Sequence, residues 1–282
     1  MAACWCAAAF LVLLALAYLW EGGRSLDAQA FRDFIALPDN DGNYTVWRIA
    51  SLGDPFEVGV IAAGLAAVAL ARGRPRLAAT VIVLLAATSV STQLLKELLE
   101  YPRYTGVMDG PNPSPAAFPS GHATAAMSIA LAGVLVTPPR ARLLAAIVGM
   151  AFALAVSFAI VTLGWHFPSD VVGGFLVATV WALVIAGGLR AINERWPERA
   201  GRTRATATLQ RGVDAVTAVG VAALAGMLLL AVALAGSTLI LLRGGDLVDF
   251  ARDHTALVAV GGAMAVAAAA LLAGVTAALR RS

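Results

Sequence analysis

LLAAIVGMAFALAVSFAIVTL-GWHFPSD-VVGGFLVATVWALVIAGGL, residues 143–189, decides the fold. It holds two apolar runs broken by a short polar stretch that contains His166 and Asp170. Each run approaches the ~20 residues that an α-helix needs to cross the hydrocarbon core of a bilayer. Ala, Leu and Val dominate without the polar alternation of a porin strand. Backbone groups in lipid must be satisfied inside the protein, so the pattern predicts helices rather than a barrel. The polar stretch turns the chain back across the membrane and leaves a histidine and a carboxylate at one face.

The rest of the chain repeats this pattern. Hydrophobic residues make up 60% of the 282, charged residues 13%, and mean hydropathy is +0.82. A soluble domain is about half apolar and about one quarter charged. The sequence therefore predicts an all-α polytopic membrane helix bundle of eight spans, at about 4–20, 55–71, 77–95, 118–137, 143–163, 170–189, 213–242 and 255–279. Three regions follow: 1–54, a first helix and outer loop; 55–190, a catalytic core; and 191–282, a connector with two more helices.

Charge placement sets the expected orientation. Arg72, Arg74, Arg76, Arg140, Arg142, the arginines between 190 and 211, and Arg280-Arg281 all fall on one side. By the positive-inside tendency that side is cytoplasmic, with both termini on it. The net charge of +3 then describes topology and contact with anionic headgroups, not nucleic-acid binding, for which no signature is present. Met1–Cys6 carries no basic residue, which favours a retained first helix over a signal peptide. Cys4 and Cys6 imply neither a disulfide nor a metal set. The 21–54 connector contains a turn at Asp39-Asn40-Asp41-Gly42-Asn43 that lacks the full spacing of a calcium loop. Phe31–Ile35 suits either a short interfacial helix or a loop packed over the helix ends.

Reactive residues gather in three places on the outer side. Lys96 and Arg103, at the end of the third span, suit a phosphate: lysine as a compact cation, arginine as a planar fork of donors. Either can equally snorkel to a headgroup or pair with Glu97 or Glu100. Pro119-Ser120-Gly121-His122 opens the fourth span. Ser120 can cap that helix, Gly121 permits close backbone approach, and free amides at a helix N-terminus favour an anion. His122 beside such a turn is suited to proton transfer. In the third place, four-residue spacing lets Asp170 approach His166 and hold one ring nitrogen while the other faces a substrate. An interfacial hydrogen bond without chemistry would use the same residues.

These motifs resemble those of the phosphatidic-acid-phosphatase type 2 (PAP2) superfamily of membrane lipid phosphatases. Lys96 and Arg103 keep the spacing of its first motif, Pro119–His122 the second, and His166 and Asp170 the end of the third; Gly173 fits a glycine frequent in the following helix. Tyr104 stands in place of a proline, and Ile160 stands where the third motif has arginine. The resemblance implies a nucleophilic His166 supported by Asp170, a proton-donating His122, and phosphoryl oxygens held by Lys96, Arg103, Ser120 and the Gly121 amide. It requires no cofactor and no metal. Losing a transition-state donor commonly lowers a rate by ~10²–10³-fold, so Arg48, Arg243 or Arg252 in the outer loops is a candidate substitute for the missing arginine.

The expected partner is an amphiphilic phosphate-bearing lipid. The resemblance allows phosphatidic acid, phosphatidylglycerol phosphate, a polyprenyl phosphate or pyrophosphate, or a polyprenyl phosphosugar; an Ala/Arg-rich composition suggests a bacterial source, and the charge placement puts the site on the extracytoplasmic side of an inner or plasma membrane. Two other functions are compatible: a noncatalytic lipid-phosphate binding or transport protein, and a phosphotransferase using the same histidine. Residues 213–282 can enlarge a lipid groove, form a homo-oligomer interface or pack within one subunit. His254 has no place in the motifs.

Overall fold

Proline and serine start the helices that matter most. Pro55, Pro75 and Pro168 each occupy the first turn of a helix, where the missing N–H is not needed and the fixed φ already suits it. The computed structural model describes residues 1–37, 42–100, 113–197 and 204–280. Those residues form α1 (Ala2–Tyr18), α2 (Glu21–Ile35), α3 (Gly42–Ala50), α4 (Pro55–Ala71), α5 (Pro75–Leu98), α6 (Gly121–Val136), α7 (Arg142–Thr162), α8 (Pro168–Arg195), α9 (Arg204–Asp253) and α10 (Thr255–Arg280). Short 3₁₀ turns lie at Ser51–Gly53 and Pro139–Ala141.

The protein is an all-α polytopic membrane bundle. Among the described residues, five helices are long and apolar enough to cross a membrane. Up to seven spans result if each bent pair counts as one: α1 with α2, bent by 83°, and residues 44–53 with α4, bent by 55°. The remaining apolar helix, α6, has 16 residues, about 24 Å of rise against a core of about 30 Å. It is the centre of the bundle, packed against α4, α5, α7 and α8 and buried on nearly every face. That position explains why it is apolar all round. Around it, α1 lies on α8, α10 lies on α7 and α8, and α9 touches α7 near the Pro139–Ala141 turn.

Two connections differ from the sequence reading. The 21–54 connector is mostly helical: α2 folds back over α7, α8 and α10, and Phe31 packs on Phe167 with ring centroids 4.9 Å apart. Its Asp39–Asp41 turn lies outside the described residues. The expected outer loop at 243–254 is instead the last part of α9, which stays helical to Asp253. Its charges suggested a connector, but no proline breaks the helix. At 50 residues α9 rises about 75 Å, more than twice the hydrocarbon thickness, and its apolar part is Thr208–Leu234.

Helix C-termini collect arginines at the end of the bundle opposite the N-termini of α6 and α8. Arg72 donates to the carbonyl of Val136 at the end of α6 and pairs with Asp214 of α9. Arg76 reaches Asn193 Oδ1 at 2.9 Å and the Trp196 carbonyl beyond α8. Arg142 donates to the Leu279 carbonyl of α10 at 3.1 Å. Each puts a cation against the negative end of a helix and satisfies a carbonyl that has no partner within it.

Close approach of α8 to α6 depends on Gly174. A Cβ there would lie 2.8 Å from both the Ser120 carbonyl oxygen and Thr124 Oγ1, and 3.0 Å from Thr124 N. Gly174→Ala should therefore destabilise the protein by about 1–3 kcal/mol through overpacking. Gly188→Ala, where a Cβ meets nothing within 4 Å, should not. Thermal unfolding of both variants in mild detergent checks this, and equal melting temperatures would contradict it.

Candidate active site

Two helix N-termini are tied together by one aspartate. Ser120, the N-cap of α6, accepts the Ala123 N–H at 3.3 Å through Oγ, and its own N–H donates to the main-chain carbonyl of Asp170 at 2.9 Å. Asp170 sits in the first turn of α8 with no exposed surface. Its carboxylate accepts the Phe167 N–H at 2.9 Å and faces His166 Nδ1 at 3.4 Å. A negative side chain in the first turn also suits the positive end of the helix. Both helices thus direct the positive ends of their dipoles to the same region; at α8 Pro168 has no N–H, Ser169 donates to Asp27 and Asp170 to the Phe167 carbonyl, so the amides left for an anion are those that open α6.

The turn that carries His166 is fixed from both sides. At the end of α7, Trp165 N–H bonds to the Ile160 carbonyl at 3.0 Å and Gly164 N–H to the Val161 carbonyl at 2.9 Å. This is a Schellman closure that requires the positive φ of +75° at Gly164. On the far side, Asp27 of α2 accepts the Ser169 N–H at 3.0 Å and the Ser169 hydroxyl at 2.6 Å. A carboxylate from a distant helix thereby helps to cap α8. His166 is buried between these anchors.

His122 and Lys96 complete the arrangement. His122 Nε2 lies 2.9 Å from Asp54 Oδ1, and its ring packs 5.4 Å from the Trp165 ring. A Cβ built at Gly121 would sit 3.9 Å from Lys96 Nζ, so the ammonium lies beside the opening of α6. Lys96 and His122 line a cavity of about 420 Å³ between α4, α5 and α6. It follows α5 from Lys96 down to Leu85, about 16 Å along the helix. Among the described lining residues Lys96 is the one lysine or arginine, and Ser89, Thr92 and Gln93 form a polar shelf below it. Thr92 Oγ1 is buried without a hydrogen-bond partner.

The structure thus brings together Lys96, Ser120, Gly121, His122, His166 and Asp170. Arg103 lies outside the described residues, as does the side chain of Arg243. Arg48 is exposed on α3, and Arg252 pairs with Asp249 of its own helix at 3.2 Å; neither lines the cavity. His254 bonds to the Phe250 carbonyl at 3.1 Å and stacks on the Phe250 ring. Ile160 is fully buried in the core, and Gly173 faces the Phe118 ring. Among the described residues no group of three or more His, Cys, Asp or Glu side chains is arranged to hold a metal ion.

A family model described as the PAP2 superfamily matches residues 58–193. The crystal structure of a transmembrane PAP2 type phosphatidylglycerolphosphate phosphatase from Bacillus subtilis superposes with a TM-score of 0.56 at 22% identity, covering 70% of this chain and 98% of that one. The chain has the PAP2 membrane-phosphatase fold. A search of curated proteins finds no match. The matched PAP2 segment contains both histidines, Asp170 and Lys96, but neither Asp54 nor Asp27. Those two carboxylates were missed in the sequence. Asp54-Pro55 is a readable helix start, whereas Asp27 gives no local sign of its partner. The cavity face of α5 was visible as Leu85, Thr88, Ser89, Thr92, Gln93 and Lys96, spaced by three and four residues.

Burial pushes the His166 imidazole below its ordinary value of 6.5; Asp170 opposes the shift, and the positive charges of Lys96 and His122 add to it. The lowered value leaves His166 neutral at neutral pH, the form with a free nucleophilic nitrogen. In ¹⁵N-histidine NMR in micelles, His166, assigned by its loss in His166→Gln, should remain neutral at pH 6.5. Asp170→Asn removes the opposing charge and should move its titration further down. An imidazolium at pH 6.5 would contradict this assignment.

Proposed function

We propose that the protein is a membrane phosphatase that hydrolyses a lipid phosphate, of the phosphatidyl or polyprenyl class, through a phosphohistidine intermediate. The observation that carries this reading is the placement of His122, Lys96 and the start of α6 on a cavity between membrane helices, with the buried His166–Asp170 pair and the start of α8 beside them. The PAP2 fold supports it, and so does the similar phosphatidylglycerolphosphate phosphatase.

The chemistry divides into two displacements. His166 Nε2, free because Nδ1 faces Asp170, attacks phosphorus. The P–O bond to the lipid breaks and His122 gives a proton to the departing oxygen. His122 then takes a proton from water, whose oxygen attacks phosphorus, and the P–N electron pair returns to His166. Lys96 and the amides at the start of α6 balance the charge that builds on the phosphoryl oxygens. No resident cofactor or metal takes part in these steps. Ile160 supplies no donor where the resemblance places arginine, so Lys96 carries a larger share, together with Arg103. Of the candidate substitutes, Arg48 precedes the Ser51–Gly53 turn that leads to His122.

The cavity accounts for an amphiphilic substrate: the phosphate meets Lys96 and His122, the polar shelf at Ser89, Thr92 and Gln93 meets the atoms next to it, and the chain runs on into lipid. We read the eight apolar segments as eight spans with α6 as the short fourth. By the positive-inside tendency the arginine-rich end is cytoplasmic with both termini there, the site is extracytoplasmic, and residues 55–190 form the catalytic core.

Phosphate release from purified protein in nanodiscs, tested across glycerolipid and polyprenyl phosphates, checks this function. Lys96→Ala and His122→Ala should each lose about 10²–10³-fold in rate while remaining folded. Lipid movement between leaflets without phosphate release would indicate transport, and a phosphorylated acceptor would indicate phosphotransfer. Either result would overturn the hydrolase reading.

A further inference from the structure

Asp54 occupies the N-cap position of α4, where an aspartate ordinarily accepts an N–H from its own first turn. Its side chain makes no such capping bond. The carboxylate is turned toward the ring of His122, with Oδ1 2.9 Å from Nε2. His122 lines the cavity and Asp54 lies between two of its lining residues, Gly53 and Pro55; the His122 side chain is 25% exposed and that of Asp54 41%. The chain before Asp54 is shaped to bring them together. A Cβ at Gly53 would lie 2.9 Å from His122 Cδ2 and 3.1 Å from both His122 Cβ and Val156 Cγ1, so only glycine lets the imidazole lie this close. Trp165 covers the ring from another side.

We propose that Asp54 is a positioning residue for proton transfer by His122, so that the site contains two carboxylate–imidazole pairs with opposite tasks. This rests on the phosphatase reading given above. The pair His166–Asp170 is buried and prepares a neutral nucleophile. The pair His122–Asp54 is partly exposed, with His122 on the cavity, and presents a proton donor whose ring the carboxylate holds at Nε2. Among the described residues, the titratable groups around His122 are Asp54 at the start of α4, Lys96 on α5, and His166 with Asp170 at the start of α8. Among them Asp54 is the carboxylate in contact with the ring. Its bond to Nε2–H leaves Nδ1–H to protonate the departing lipid oxygen as the P–O bond breaks. The neutral ring, still held at Nε2, takes a proton from water at Nδ1 in the second displacement. Asp54 itself touches neither phosphorus nor the leaving oxygen.

The test separates proton donation from structure by varying the leaving group. An alkoxide leaves poorly and needs the proton, whereas a nitrophenolate leaves readily without one. Wild type, Asp54→Asn, Asp54→Ala and His122→Ala are assayed with an alkyl lipid phosphate and with p-nitrophenyl phosphate, and the melting temperature of each is recorded. Asp54→Asn should lose about ten- to a hundredfold in kcat/KM, which reports the first displacement, on the alkyl ester, a part of the effect of a general acid. On the aryl ester kcat/KM should fall under about threefold, and His122→Ala should show the same contrast in stronger form. Equal losses on both substrates, or wild-type rates for both Asp54 variants, would overturn the role of Asp54. Absence of hydrolysis by the wild-type protein on both substrates would instead remove the phosphatase reading on which the proposal rests.

Discussion

Asp170 is the constraint on which the site depends. Its carbonyl accepts the Ser120 N–H, its carboxylate accepts the Phe167 N–H, and the same carboxylate faces His166. One residue therefore joins the starts of α6 and α8 and orients the histidine between α7 and α8. It is wholly buried, where an unsatisfied carboxylate would be expensive. The close contact of Gly174 with the Ser120 carbonyl and the Asp27 bonds to Ser169 hold the two helix starts in the register that those hydrogen bonds require.

Charge in the described residues follows the helix directions. At the end of the bundle where α6 and α8 start, the positive helix ends, the amides that open α6 and Lys96 face a cavity suited to an anion. At the opposite end, Arg72, Arg76 and Arg142 sit on helix carbonyls. These arginines serve the packing of α6, α8 and α10. Ile160 is buried in the core and supplies no donor, so on the proposed reading Lys96 and the α6 amides matter more.

Much of this was legible in the sequence because it is local. Apolar run length gave the helices, Pro168 and Ser120 gave two decisive helix starts, and four-residue spacing brought His166 to Asp170. Features that failed to show were those whose partners are remote or whose signals conflict. Asp54 meets His122 across 68 positions and Asp27 meets Ser169 across 142, and no local pattern announces either contact. The polar end of α9 carried the composition of a loop, but without proline the backbone hydrogen bonds of a helix prevailed. The folding back of α2 was equally hidden, since it follows from the packing of Phe31 on Phe167 and of Phe34 on Phe158, contacts made between separate elements.

The central claim is covalent chemistry at His166. Rapid acid-free quenching of the protein during turnover of a ³²P-labelled lipid phosphate, followed by peptide mapping, tests it most directly. The account predicts an acid-labile, alkali-stable label on the peptide containing His166, absent from His166→Ala together with turnover. Full turnover by His166→Ala, or a label on another residue, would contradict it.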